Sequence, residues 1–241
     1  MNTPNASETN MNYYYNQMKG ESPWRNNLIY TSLINDEKTV FTQWFHNDSE
    51  YHMGQNEVID QSLMDEKWGR EVEYLSVMKR EYPHLVPEII DINHKERKLY
   101  LKIDGPDLWQ RSLDLDECSF DKILPDWEEQ MLNIMQAHKD LGLYKYSLHP
   151  NSYFVVDGKL KSINYFFTYP EHEETVRIKD FISHISHNRR KQLIEYSEKR
   201  GIQWDHPTSL LDIQLLAFDS FRSNYPSSFI DKAQEIYRCT Q

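Results

Sequence analysis

The sequence predicts an α+β fold in two parts, and three observations carry that prediction. Strand-like runs come first, before residue 104, around a single amphipathic helix. Helical patterns fill most of the chain beyond that point. Inside that helical part, Asp157-Gly158 joins two short strand-like runs and reads as a two-residue hairpin turn. Strands gathered ahead of helices, rather than alternating with them, point to α+β.

Each element has its source in local chemistry. Residues 1–22 are polar and rich in Asn, Ser and Thr, which predicts a mobile tail. Asn27–Ile34 and Thr39–His46 read as strands, with Asn35-Asp36-Glu37-Lys38 turning between them. Asp48–Ser62 has turn residues and little periodicity, so it reads as a loop. Leu63–Tyr82 reads as a helix because Trp68, Val72, Leu75 and Met78 recur at spacings of three and four. Pro83 stops it. Ile89–Asn93 and Lys98–Ile103 form a second hairpin, closed by Asp104-Gly105-Pro106-Asp107. Pro125 opens a helix whose inner face is Trp127, Met131, Ile134, Met135 and His138, and Gly142 ends it. Tyr153–Val156 and Lys161–Tyr165 are the strands around Asp157-Gly158. Asp180–Gly201, Ser209–Tyr225 and Ser228–Tyr237 read as helices. The resulting division is 1–22, then a strand-rich part over 23–104, then a helical part over 105–241.

Composition narrows the function. The chain has 241 residues, 39% hydrophobic and 13% aromatic, enough for a sizeable core. Its net charge of −11 disfavours a nucleic-acid partner, which needs clustered cations. Arg189-Arg190-Lys191 reads as a solvated helix face. Cys118 and Cys239 are far apart and outside any CxxC pattern, so a disulfide framework or zinc site is not expected, and a reducing compartment fits. No signal-peptide pattern and no long apolar run occurs, which predicts a soluble, cytoplasmic protein without a membrane partner. Asn5-Ala6-Ser7 carries no weight as a glycosylation acceptor without such a signal.

The stretch starting at His138, HKDLGLYKYSLHPNSYFVVDGKLKSINYFF, carries the strongest signal. It resembles the catalytic core of the protein-kinase-like superfamily, in which a helix ends near a glycine, a His-x-Asp loop comes next, and a short hairpin leads to Asp-Phe-Gly. The resemblance spans about residues 28–170 and implies a small strand-rich N-lobe and a reduced helical C-lobe. Anchored on Leu148-His149-Pro150, it puts Lys145 at the family's His and Ser147 at its catalytic Asp. Ser152 falls at the metal-binding Asn, and Asn164-Tyr165-Phe166 replaces Asp-Phe-Gly. A serine cannot act as that base, and Ser152 and Asn164 offer only neutral oxygens to a hard dication. Glu71 fits the family's helix glutamate, while Gln43 takes the place of the strand lysine that normally pairs with it. Lys38 would serve only if the strand alternation shifted. No Gly-rich loop precedes the strand. Leu99–Asp104 resembles the hinge between lobes, so Gln43, Glu71, Lys102 and Asp104 would line the nucleotide cleft.

The resemblance therefore implies a pseudokinase: no catalytic residues, no metal, weak or absent ATP binding, and a protein partner. Scarce glycine, abundant Asn and Tyr and a shortened second lobe resemble phage kinase-like proteins, which would put it in a host cytoplasm. Two rivals stand beside it. One is an atypical kinase or nucleotide-transfer enzyme using relocated acids, with Asp140, Asp157 and Asp180 as candidates. The other is a viral interaction protein of unrelated α+β fold, in which Tyr13-Tyr14-Tyr15 could form an interaction arm. His184 and His187 lack a third metal ligand, and Ser147 with His149 lacks a supporting acid.

Overall fold

The computed structural model describes residues 29–33, 39–45, 61–115, 120–177, 187–203 and 206–239. The N-terminal tail, the turn at 35–38 with Lys38, most of the 48–62 loop, Cys118, Asp180 and His184 lie outside them. The described chain is α+β, with a four-stranded antiparallel sheet preceding helices and short two-stranded sheets.

The sheet is built from β1 (Ile29–Leu33), β2 (Val40–Phe45), β3 (Glu88–Asn93) and β4 (Lys98–Lys102), in the order β1-β2-β4-β3. Alternation along β2 sets Phe41, Gln43 and Phe45 on one face, all fully buried, so a polar side chain sits between two aromatic ones. A register shift in β3 between Ile89 and Asp91 leaves Ile90 about half exposed at the sheet edge.

Helix α1 (Gln61–Glu81) covers the sheet, and Trp68 packs edge-on against Phe45 at 5.4 Å. Its buried seam runs Met64, Trp68, Glu71, Leu75, Met78, a regular four-three spacing. The sequence reading put Val72 in that seam. Val72 is only half-buried, and the seam position belongs to Glu71. Pro83 ends α1 and opens a 3-10 turn, Pro83–Leu85.

The helical part begins with α2 (Leu108–Asp114), to which the sequence reading assigned no element. Buried Asp107 caps it by accepting the Gln110 N–H at 2.9 Å. Helix α3 (Trp127–Asp140) buries the inner face its periodicity predicts, and Gly142 comes after it at φ 63°, a left-handed position that suits glycine. Then come β5 (Leu143–Lys145), β6 (Tyr153–Val156), β7 (Lys159–Ser162), β8 (Thr168–Pro170) and β9 (Thr175–Arg177). β5 pairs with β8, and β6 with β7.

β7 starts two residues earlier than predicted. Asp157 and Gly158 both take positive φ, the tight turn that pairs Val156 directly with Lys159. Helix α4 (His187–Lys199) ends before Gly201. β10 (Pro207–Ser209) pairs with β9, and Ser209 caps α5 (Leu210–Ser220) by accepting the Asp212 N–H at 3.1 Å. The predicted helix to Tyr225 ends at Ser220 and is followed by a 3-10 turn, Arg222–Asn224, and Pro226 holds Tyr225 extended. Helix α6 (Ser227–Arg238) closes the core, with Phe229 and Tyr225 against Trp127. Among the described residues, no helix is long and apolar enough to cross a membrane.

Candidate functional site

Three of the residues singled out from sequence meet where the sheet faces the helical part. Gln43 Nε2 donates to Asn164 Oδ1 at 2.6 Å, and Asn164 Nδ2 donates to Ser152 Oγ at 2.9 Å. Backbone geometry places each of them. Gln43 points inward by strand alternation. Ser152 closes the 3-10 turn Pro150–Ser152 and exchanges backbone hydrogen bonds with His149 and Ile163. Asn164 lies just after β7 at φ 65°, a left-handed conformation that asparagine tolerates better than most residues. Both edges of its amide are used, one accepting and one donating, and the whole chain is electrically neutral.

Glu71 lies beside this chain, fully buried. Its Oε2 accepts the Phe166 N–H at 2.8 Å, while Oε1 has no hydrogen-bond partner among the described residues. Burial pushes its carboxyl up to about 7, against the Phe166 amide, the positive charge of Lys145 and the Tyr165 and Asn164 amides, which all favour the anion. Lys145, at the end of β5, is also fully buried. Its ammonium donates to the Ser147 carbonyl at 2.6 Å and lies 5.4 and 5.5 Å from the centres of the Tyr153 and Tyr165 rings. Burial lowers it to about 7, with Glu71 opposing. Next to it, His138 Nε2 is 3.2 Å from the Tyr165 hydroxyl and is kept neutral by burial first and Lys145 second.

Helix α1 grips the segment after Asn164 with two more cations. Lys67 lies buried over the Phe167 ring at 3.6 Å, and burial lowers it to about 7. Arg70 donates to the Thr168 carbonyl at 3.0 Å, pairs with Glu173 at 3.1 Å and stacks over Tyr169 at 4.0 Å. Tyr165 is fully buried, and Phe166 packs edge-on against Phe45 at 5.9 Å. On the other side of Gln43, Phe41 meets Phe154 of β6 at 4.9 Å, both buried. Aromatic rings thus occupy the contact between sheet and helical part on both flanks of the polar chain.

The remaining sequence-derived candidates lie elsewhere. Lys102 is exposed on β4 and pairs with Glu88 at 3.4 Å. Asp104 is exposed, and its backbone carbonyl, not its carboxylate, is engaged, by Arg111. Neither joins the buried group: the alternation that turns Leu101 and Ile103 inward turns both outward. Ser147 is half-buried and takes part through its carbonyl. His149 accepts the Asn151 N–H at Nδ1 at 3.1 Å and sits between Trp109 and Phe221, a structural position rather than that of a base for Ser147. Asp140 is exposed and accepts from Gln136 and Tyr82, and Asp157 is an exposed turn residue. Among the described residues no cluster of three metal-ligating side chains occurs.

The sequence reading missed Lys67 and Arg70 and did not connect Lys145 with Glu71. Helical spacing on α1 could have signalled the first two, since Lys67, Arg70 and Glu71 share one face at i, i+3 and i+4. Nothing in sequence signals the second. No protein-family model matches the chain, and no curated protein matches it.

Proposed function

We propose that this chain is a kinase-like protein that has given up phosphoryl transfer and acts as a binding module for a protein partner. The observation that carries the reading is the neutral chain Gln43–Asn164–Ser152. On the kinase-like alignment these are the positions of the phosphate-contacting lysine and the two metal-holding side chains. Phosphoryl transfer depends on positive charge and Mg²⁺ around the phosphates. Here the three side chains hydrogen-bond one another, and no charge is left among them to meet a triphosphate.

The packing around the chain supports the same reading. A nucleotide between the two parts would have to displace the Phe41–Phe154 contact on one flank or the buried Tyr165 and half-buried Phe166 on the other. Helix α1, held by Lys67, Arg70 and Glu71, leaves the Asn164–Tyr169 segment little freedom to move aside. A fold kept with its transfer chemistry removed is useful as a surface, so a protein partner is the function proposed.

A transfer assay with labelled ATP tests the loss of chemistry. The wild-type chain is expected to label neither itself nor a generic protein substrate. Labelling that disappears in Asn164→Ala would overturn the proposal, because it would show that the neutral residues support the reaction.

A further inference from the structure

Two ionisable groups of opposite charge type lie completely buried on different elements: Glu71 on α1 and Lys145 at the end of β5. A buried charge is tolerated only with a counter-charge and hydrogen bonds. The other cations of α1 are already committed, Lys67 over the Phe167 ring and Arg70 to Glu66, Glu173 and the Thr168 carbonyl. Gln43, the inward side chain of β2, is neutral and turned to Asn164. The groups around Lys145 are also uncharged: Tyr153 and Tyr165 flank its ammonium, and His138 bonds the Tyr165 hydroxyl. Lys145 lies 5.5 Å from the Tyr165 ring and Glu71 holds the N–H of the next residue, Phe166, so both converge on one short segment, and Lys145 is the cation assigned to Glu71.

We infer that Glu71 and Lys145 work as one charge-neutral unit that fixes α1 against the Asn164–Phe166 backbone, with the cation supplied from β5 instead of from β2. The two groups are not in direct contact, and they act through the low-dielectric space between α1, β5 and the Asn164–Phe166 segment. Each opposes the effect of burial on the other, as expected of such a unit. Both are positioning residues, since the Glu71 carboxylate holds the Phe166 N–H and Lys145 holds the Ser147 carbonyl. The inference rests on the kinase-like reading only in naming β2 as the usual source of the lysine.

A double-mutant cycle tests the unit. Lys145→Met alone leaves a buried anion uncompensated and is expected to lower Tm on the order of 10 °C, or to prevent folding. Adding Glu71→Gln, which keeps an acceptor for the Phe166 N–H, should recover at least half of that loss. Moving the cation, with Gln43→Lys added to Lys145→Met, should also recover part of it. Losses that simply add, or a double variant that does not fold when Glu71→Gln alone does, would overturn the inference. A Glu71→Gln variant that itself fails to fold while Gln43→Lys/Lys145→Met folds supports it; failure of all three overturns it. As a second readout, the rise of stability with pH above neutrality should begin at lower pH in Glu71→Gln, because Lys145 has lost the charge that favours its protonated form. An unchanged profile contradicts the unit. These readouts are of stability alone, so their failure leaves the question of phosphoryl transfer untouched, and the converse also holds.

Discussion

Asn164 combines a left-handed backbone with two side-chain hydrogen bonds, and the two contributions can be separated by substitution. Asn164→Ala loses both hydrogen bonds and adds backbone strain, for a cost of about 2–4 kcal/mol. Asn164→Gly loses the same bonds without the strain and should be roughly 1 kcal/mol less destabilising, as read by urea unfolding. Equal losses would mean that the conformation is not maintained. Titration gives a second test at this scale. Burial raises Glu71 from 4.5 to about 7 and lowers Lys67 and Lys145 from 10.5 to about 7. The raised carboxyl stabilises the fold below its ordinary value and loses that contribution as pH climbs to 7. The lowered lysines contribute fully above 10.5 and lose their contribution as pH falls towards 7. Stability from these three groups is therefore lowest near pH 7, and Tm should rise by about 5 °C or more from pH 7 to pH 9. Lys145→Met, where it folds, should show less than half that rise, because Glu71 loses the cation that favours its anion and gives up stability above pH 7, and a flat wild-type profile would contradict the buried placement of both lysines. Ser152 and Asn164 were legible from sequence through their spacing after Leu148-His149-Pro150, and Gln43 through its place in the strand that resembles the family's lysine strand. Their mutual hydrogen bonds were not, because they depend on β2 and the hairpin meeting face to face.

Among the elements, α1 organises the site. Its apolar periodicity predicted the helix and Pro83 its end, but periodicity put Val72 in the seam position that Glu71 occupies, and only the kinase-like resemblance pointed to Glu71. Its neighbour Lys67 is buried over two phenylalanine rings, and among the described residues no carboxylate is hydrogen-bonded to it. Replacing a buried charge by an apolar chain of similar length removes a desolvation cost, so Lys67→Met should stabilise the fold by about 1–2 kcal/mol at pH 7. A loss of stability in thermal unfolding would show that the ammonium's contact with the rings outweighs its desolvation. Helix α2 offers a plainer test. Asp107 is its buried cap, and Asp107→Ala should cost about 1–2 kcal/mol while Asp107→Asn costs less. That helix was legible in principle, since Asp107 precedes Gln110 by three residues, the spacing of a capping motif. The paired strands β5 and β8 were not. Each is three residues long, too short for alternation to register, and their pairing depends on the chain returning after Asn164.

At the level of the whole molecule, the described residues of sheet and helical part meet through aromatic contacts and a buried polar group. The coarse order of elements was legible because hydrophobic period, proline and glycine mark it locally. The character of the interface was not, because Phe41 and Phe154 belong to different halves and look like ordinary strand residues until they touch. Lys102 and Asp104 illustrate the same limit: their place beside the connection was readable, but the outward direction of their side chains was set by sheet register. The central proposal is that this interface does not hold Mg²⁺ and a nucleoside triphosphate. The direct measurement is thermal unfolding of the full chain with millimolar ATP, in the presence and absence of Mg²⁺. A ligand that binds only the folded state must raise the midpoint by mass action. The account predicts a shift below about 1 °C in either condition, whereas a rise of several degrees that requires Mg²⁺ would contradict it.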